Sequence, residues 1–133
     1  MSLPNPALSG DLLAADCPTR RVLDHVVSRW GMMVLVVLQG GTLRFGALRR
    51  RIGGVSEKML AQSLRHLEDD GFVLREVYAE VPPRVEYSLT PMGREVAERV
   101  DALGSWIEGN LGRVLAAREE NGAERIPPGP TRA

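Results

Sequence analysis

The hydrophobic period of this chain changes twice, and that alternation limits the folds open to it more than any other feature. Up to Leu67 apolar residues recur every three or four positions. From Phe72 they recur every second position, in "FVLREVYAE" and "RVEYSLT", and after Pro91 the helical spacing returns. A stripe with a period of about 3.6 buries one side of a helix, whereas a period of 2 buries one face of a strand. The order is therefore helices, one β-hairpin around Val81-Pro82-Pro83, and a closing helix.

Local signals divide the helical part further. Cys17-Pro18-Thr19 opens a first helix with Val22, Leu23, Val26 and Val27 on its stripe. After Gly31, "MMVLVVLQGG" is apolar nearly all round and stops at Gly40-Gly41, which predicts a buried central helix with Trp30 beneath it. Phe45, Leu48 and Ile52 mark a short third helix with its arginines facing away. Ser56 and Glu57 open a fourth, which runs to about Asp70 and stops at Gly71. Met32, Met33 and Met59 read as core residues, the alternative being the lining of an apolar pocket.

Thr90 and Pro91 start a last helix of more than twenty residues. Its seam is Val96, Val100, Leu103, Ile107, Leu111 and Val114. In a chain of 133 residues this seam is expected to pack against a second subunit; the alternative is that it folds back on its own domain. The expected fold class is mainly α with a small β-hairpin wing (α+β). Residues 1–16 read as a flexible arm in which Leu12 and Leu13 could dock, 17–120 as the folded domain, and 121–133 as a disordered tail.

Composition excludes several classes. The chain is 44% hydrophobic and 26% charged, ordinary for a globular protein. Its longest apolar run, Met32 to Leu38, is too short to span a bilayer, and the first residues lack a signal-peptide pattern, so a soluble cytoplasmic protein is expected. Cys17 is the only cysteine, which leaves no internal disulfide or cysteine-based zinc cluster. His25 and His66 have no further ligands at useful spacing, so neither a metal nor another cofactor is expected. The glycine pairs Gly40-Gly41 and Gly53-Gly54 lack a phosphate-cradling context, and no nucleophile stands beside a base. An enzyme is not expected.

Net charge is zero over the whole chain, yet from Thr42 to His66 six cations stand against Glu57 alone. A segregated basic segment suits a phosphate backbone, although a solvated arginine-rich face would look the same. On the fourth helix Leu60, Leu64 and Leu67 share one side, and Lys58, Ala61, Gln62 and Arg65 fall opposite. A short helix, a turn, this second helix and a hairpin form the plan of a winged helix-turn-helix, whose second helix enters the DNA major groove. Arg65 suits guanine O6 and N7, Gln62 suits adenine N6 and N7, and the Ala61 methyl suits a thymine methyl. Lys58, Arg44 and the helix starts, with Ser56 among them, suit phosphates. Arg84 at the hairpin tip could enter the minor groove, and His66 flanks the same surface. Arg49, Arg50 and Arg51 are either phosphate contacts or simply solvated. The competing reading is a winged-helix module whose Lys58, Gln62 and Arg65 meet acidic groups of another protein.

The Cys17-Pro18 start, Trp30, "LRF", "GVSEKML", "LRHLEDDG" and above all "VPPRVEYSLTPMG" resemble the HxlR-type branch of the bacterial MarR-like winged-helix regulators. The resemblance implies a homodimer that binds a palindromic operator through helix and wing, usually to repress nearby genes. It also implies a dimer interface built from the last helix and N-terminal elements. Cys17 matches a cysteine that some relatives use to sense oxidants or electrophiles, and Arg20 and Arg21 stand nearby to favour a thiolate. The alternative role is packing at a helix start. An oxidant or a small molecule is thus a candidate effector. The sequence departs from the resemblance at Val27-Ser28-Arg29-Trp30-Gly31, where relatives carry "GGKW", and the resemblance covers neither the arm before Cys17 nor the tail after Glu120.

Overall fold

The computed structural model describes residues 12–129. Most of the expected N-terminal arm and the last four residues of the expected tail lie outside that range. The described chain divides into two compact units, one ending at Val100 and one starting at Asp101.

The first unit contains α1 (Pro18–Val26), α2 (Arg29–Leu38), β1 (Leu43–Arg44), α3 (Phe45–Arg51), α4 (Glu57–Asp69), β2 (Val73–Tyr78), β3 (Arg84–Leu89) and the beginning of α5 (Pro91–Gly109). Its sheet is antiparallel with strand order β1-β3-β2. In β2 and β3 the pairing runs from Val73 opposite Leu89 to Tyr78 opposite Arg84, as the alternating pattern predicts. β1 is an addition to the expected hairpin: Leu43 pairs with Tyr87 and Arg44 with Glu86. Leu35, Leu48, Leu60 and Leu67 are fully buried where α2, α3 and α4 meet the sheet, and Tyr87, Leu89 and Ala97 complete the same core.

The turn signals act as expected, with added detail. α4 ends in a Schellman motif: Gly71 takes a left-handed φ of 83°, Phe72 N–H donates to Leu67 O at 2.9 Å, and Gly71 N–H donates to Glu68 O at 3.0 Å. The start of α5 is tied to this turn. Thr90 Oγ1 donates to Gly71 O at 2.6 Å and accepts from Gly93 N–H at 2.9 Å, so one hydroxyl caps α5 and fixes it to the end of α4. The junction that departs from "GGKW" is also closed by a cap. Ser28 Oγ accepts from Gly31 N–H at 3.1 Å and donates to His25 O at 2.9 Å. A Cβ on Gly31 would lie 2.2 Å from that carbonyl oxygen, so only glycine allows α2 to start so close to the end of α1.

Three expectations need correction. α2 is not buried all round: Val34, Leu35 and Leu38 are inside, while Met33 (43%) and Val36 (37%) face outward, because the core covers only one side of the helix. Met59 on α4 is likewise 42% exposed and so does not belong to the core. The last helix is two helices. α5 ends at Gly109, Asn110 takes φ −117° and ψ 12°, and α6 covers Leu111–Glu120. A helix-poor Gly-Asn pair interrupts the backbone there although the apolar spacing continues across it.

The seam divides accordingly. Val100 and its neighbour Ala97 are buried and Val96 is half-buried against the core, so these positions fold back on their own unit. In the second unit no described residue is buried. Leu103, Trp106, Ile107, Leu111, Val114 and Leu115 are all exposed, by 37 to 58%. α6 closes on Gly122 (φ 65°) with a second Schellman pair, Ala123 N–H to Arg118 O at 2.9 Å and Gly122 N–H to Glu119 O at 3.1 Å. Arg118 Nη2 donates to Glu124 O at 2.6 Å, and residues 123–129 form neither helix nor strand.

Candidate nucleic-acid interface

α3, the turn through Gly54 and α4 form the helix-turn-helix. Gly54 takes φ 86°, with the Trp30 ring 3.8 Å from where a Cβ would stand, so a side chain there would meet both backbone strain and the tryptophan. Ser56 starts α4 by accepting from Met59 N–H at 3.2 Å. Its oxygen is thus engaged as the N-cap acceptor, which leaves the O–H free to donate. Leu60, Leu64 and Leu67 anchor one side of α4 in the core, and Lys58, Ala61, Gln62 and Arg65 all lie exposed on the helix. Lys58, Gln62 and Arg65 are in no ion pair or side-chain hydrogen bond among the described residues.

Around this face the structure sorts the arginines, which the sequence could not do. Arg49 braces the turn: its Nη1 is 3.4 Å from Glu57 Oε1 and its Nε donates to Val55 O at 3.5 Å. It thereby neutralises the one carboxylate in the first turn of α4, a benefit to any anion approaching that helix end. Arg50 and Arg51 are exposed at the end of α3. Arg44 lies exposed at the N-cap of α3, held by its backbone in β1 opposite Glu86.

Two expected contact residues are held elsewhere. Arg84 does not stand free at the wing tip. Its guanidinium lies 4.2 Å over the Tyr78 ring, with Glu80 at 3.4 Å and Glu86 at 3.5 Å. Tyr78 donates its hydroxyl to Glu76 Oε2 at 3.1 Å; that hydrogen bond, with the carboxylate's charge, raises its pKa above the ordinary phenol value. Two carboxylates therefore flank Arg84, and a third, Glu76, holds the ring beneath it. His66 is half-buried and stacked on His25 of α1, with ring centroids 4.4 Å apart at 18°. His25 Nδ1 is in turn hydrogen-bonded to Asp70 Oδ2 at 2.6 Å. This His66–His25–Asp70 group ties the last turn of α4 to α1. No local pattern marks it, since His25 and Asp70 lie 45 positions apart.

Cys17 is the N-cap of α1 and only 4% exposed. Close by, Val22, Leu23, Val26, Phe72 and Val96 line an apolar groove between α1 and the first turns of α5. Among the described residues no group of three or more His, Cys, Asp and Glu could hold a metal ion, and no helix is long and apolar enough to cross a membrane.

A helix-turn-helix followed by a β-hairpin, with β1 ahead of α3 as the sheet's third strand, is the architecture of a winged-helix regulator. The profile described as HxlR-like helix-turn-helix matches residues 25–114. The chain belongs to this family of transcriptional regulators. It is 59% identical over 123 residues to YtfH of Escherichia coli strain K12, described as an uncharacterized HTH-type transcriptional regulator, covering 92% of this chain and 98% of the relative. A solved structure of ytfH from Salmonella typhimurium superposes with a TM-score of 0.80 at 61% identity, covering 84% of this chain and 99% of the other. The redox regulator HypR in its oxidized form matches with a TM-score of 0.65 at 40% identity, over 71% of this chain and 97% of its own.

Proposed function

We propose that this protein is a homodimeric transcriptional regulator that binds a palindromic duplex operator in a sequence-specific way and acts as a repressor. The observation that carries the proposal is the outward side of α4, where Lys58, Gln62 and Arg65 are exposed and uncommitted. Arg65 and Gln62 can make paired hydrogen bonds to guanine and adenine edges, and the Ala61 methyl meets thymine. Lys58 and Arg44 hold phosphates on either side. Arg84 contributes less than its place at the wing tip suggests, because Glu80 and Glu86 already surround it. Ser56 caps the helix with its oxygen and keeps its O–H for a phosphate, while His66, stacked on His25, positions the last turn.

Dimerisation is supported by the second unit, whose large apolar side chains stay 37 to 58% exposed among the described residues. Leu103, Ile107, Leu111 and Val114 supply the contact, and Val96 and Val100 support it from the core. A two-fold axis then presents two copies of α4 to two half-sites, and a bound dimer blocks access to the promoter. An oxidant is the favoured effector because HypR is described as a redox regulator. At 4% exposure, Cys17 would react only when the start of α1 loosens.

Two substitutions separate base reading from backbone binding. Arg65→Ala is expected to cost about 1 to 3 kcal/mol on the preferred duplex and to relax preference at one base pair. Lys58→Ala should weaken all duplexes by a similar factor and lower the salt dependence by about one ion. Competition binding against a set of single-base variants checks both. Equal losses on every sequence for Arg65→Ala would remove it as a base reader and favour a protein-binding face.

A further inference from the structure

Met59 is the one large apolar side chain exposed on α4. It stands in the first turn, between Lys58 and the outward-facing Gln62 one turn on, and its backbone N–H is already satisfied by Ser56 Oγ at 3.2 Å. It fills no space in its own core, which Leu60, Leu64 and Leu67 of the same helix occupy. Such a residue gains free energy only where an external apolar group covers it.

Given the DNA-binding reading above, on which this inference rests, we propose that Met59 is a specificity-determining residue that reads the C5-methyl group of a thymine in each half-site. The N-terminal part of a recognition helix is the part that reaches base edges. The thymine methyl is the one apolar group that the four bases present in the major groove. Lys58, the neutralised Glu57 and, about two turns further on, Arg65 make this side of α4 attractive to a polyanion, which fits duplex DNA better than another apolar protein surface. Ala61, also exposed, ends at its Cβ and stays close to the helix surface. The unbranched thioether reaches further and adapts its rotamer to the methyl it meets.

The test removes the methyl from the DNA and the side chain from the protein, separately and together. In the duplex selected by the purified protein, each thymine of one half-site is replaced in turn by deoxyuridine, which lacks only the C5-methyl. Binding is measured for the native protein and for Met59→Ala. At one position the native protein should lose about fourfold in affinity, the value of one buried methyl. Met59→Ala, which removes the contact from both half-sites, should bind the thymine duplex about sixteenfold more weakly and show no further loss with deoxyuridine at that position. An unchanged melting temperature for Met59→Ala confirms that the fold is intact, as the exposure of the residue leads one to expect. If every deoxyuridine costs Met59→Ala as much as it costs the native protein, or costs neither anything, Met59 is not the reader and the inference fails alone. If no duplex is preferred at all, the DNA-binding reading fails and takes this inference with it.

Discussion

Gly93→Ala should lower the melting temperature by about 10 °C or more, which corresponds to about 3 kcal/mol at this domain size. A Cβ on Gly93 would stand 1.9 Å from Phe72 O, 2.8 Å from Phe72 C and 3.2 Å from Phe72 Cα. The obstacle is backbone, so no rotamer change relieves it. Nor can Phe72 retreat at low cost: its carbonyl accepts from Thr90 N–H at 3.1 Å, and its own N–H closes the Schellman turn of α4. The substitution must therefore pull α5 away from the wing or break the Thr90 cap that joins them. Thermal unfolding followed by circular dichroism measures the effect. A shift of only one or two degrees would mean that the close approach at Phe72 is absent in solution.

Leu103→Glu should act in the opposite manner, leaving the fold in place and abolishing the proposed dimer. Leu103 is 48% exposed in the single chain, so a carboxylate there is hydrated as long as the chain is alone. Two such carboxylates in an apolar two-fold contact would be desolvated close to each other, at a cost of several kcal/mol. Loss of the dimer makes each half-site bind independently, and operator affinity should fall about 100-fold or more. Sedimentation should then show a monomer with unchanged melting of the first unit. By contrast, Val100→Glu, only three positions earlier, places the charge in the buried core and should unfold the protein outright. A Leu103→Glu variant that remains dimeric would exclude this seam.

The contrast between Val100 and Leu103 also shows how far the sequence could be read. Periodicity located the seam but could not tell which apolar residues face the chain's own core, because hydropathy does not distinguish a self contact from a partner contact. The same ambiguity made α2 read as buried on all sides, although Met33 and Val36 lie outside. The wing was legible since six alternating pairs leave a strong signal, whereas β1 has two residues and exists only through its pairing with Tyr87 and Glu86. The break at Asn110 was present in the sequence as Gly109-Asn110, but the continuing apolar spacing outweighed it. In the candidate site, the outward side of α4 followed directly from the spacing of Leu60, Leu64 and Leu67. Which cations remain free did not follow, because Arg49 and Arg84 are engaged by carboxylates whose positions depend on the folded turn and hairpin.

If the exposed side of α4 reads base sequence as part of a dimer, selection from a random pool of duplexes by the purified full-length protein at moderate salt will reveal it. The selected pool should be enriched in an inverted repeat whose half-site centres lie about one helical turn, or a multiple of it, apart. A pool that stays random after several rounds, bound equally at every sequence or not at all, would contradict that reading.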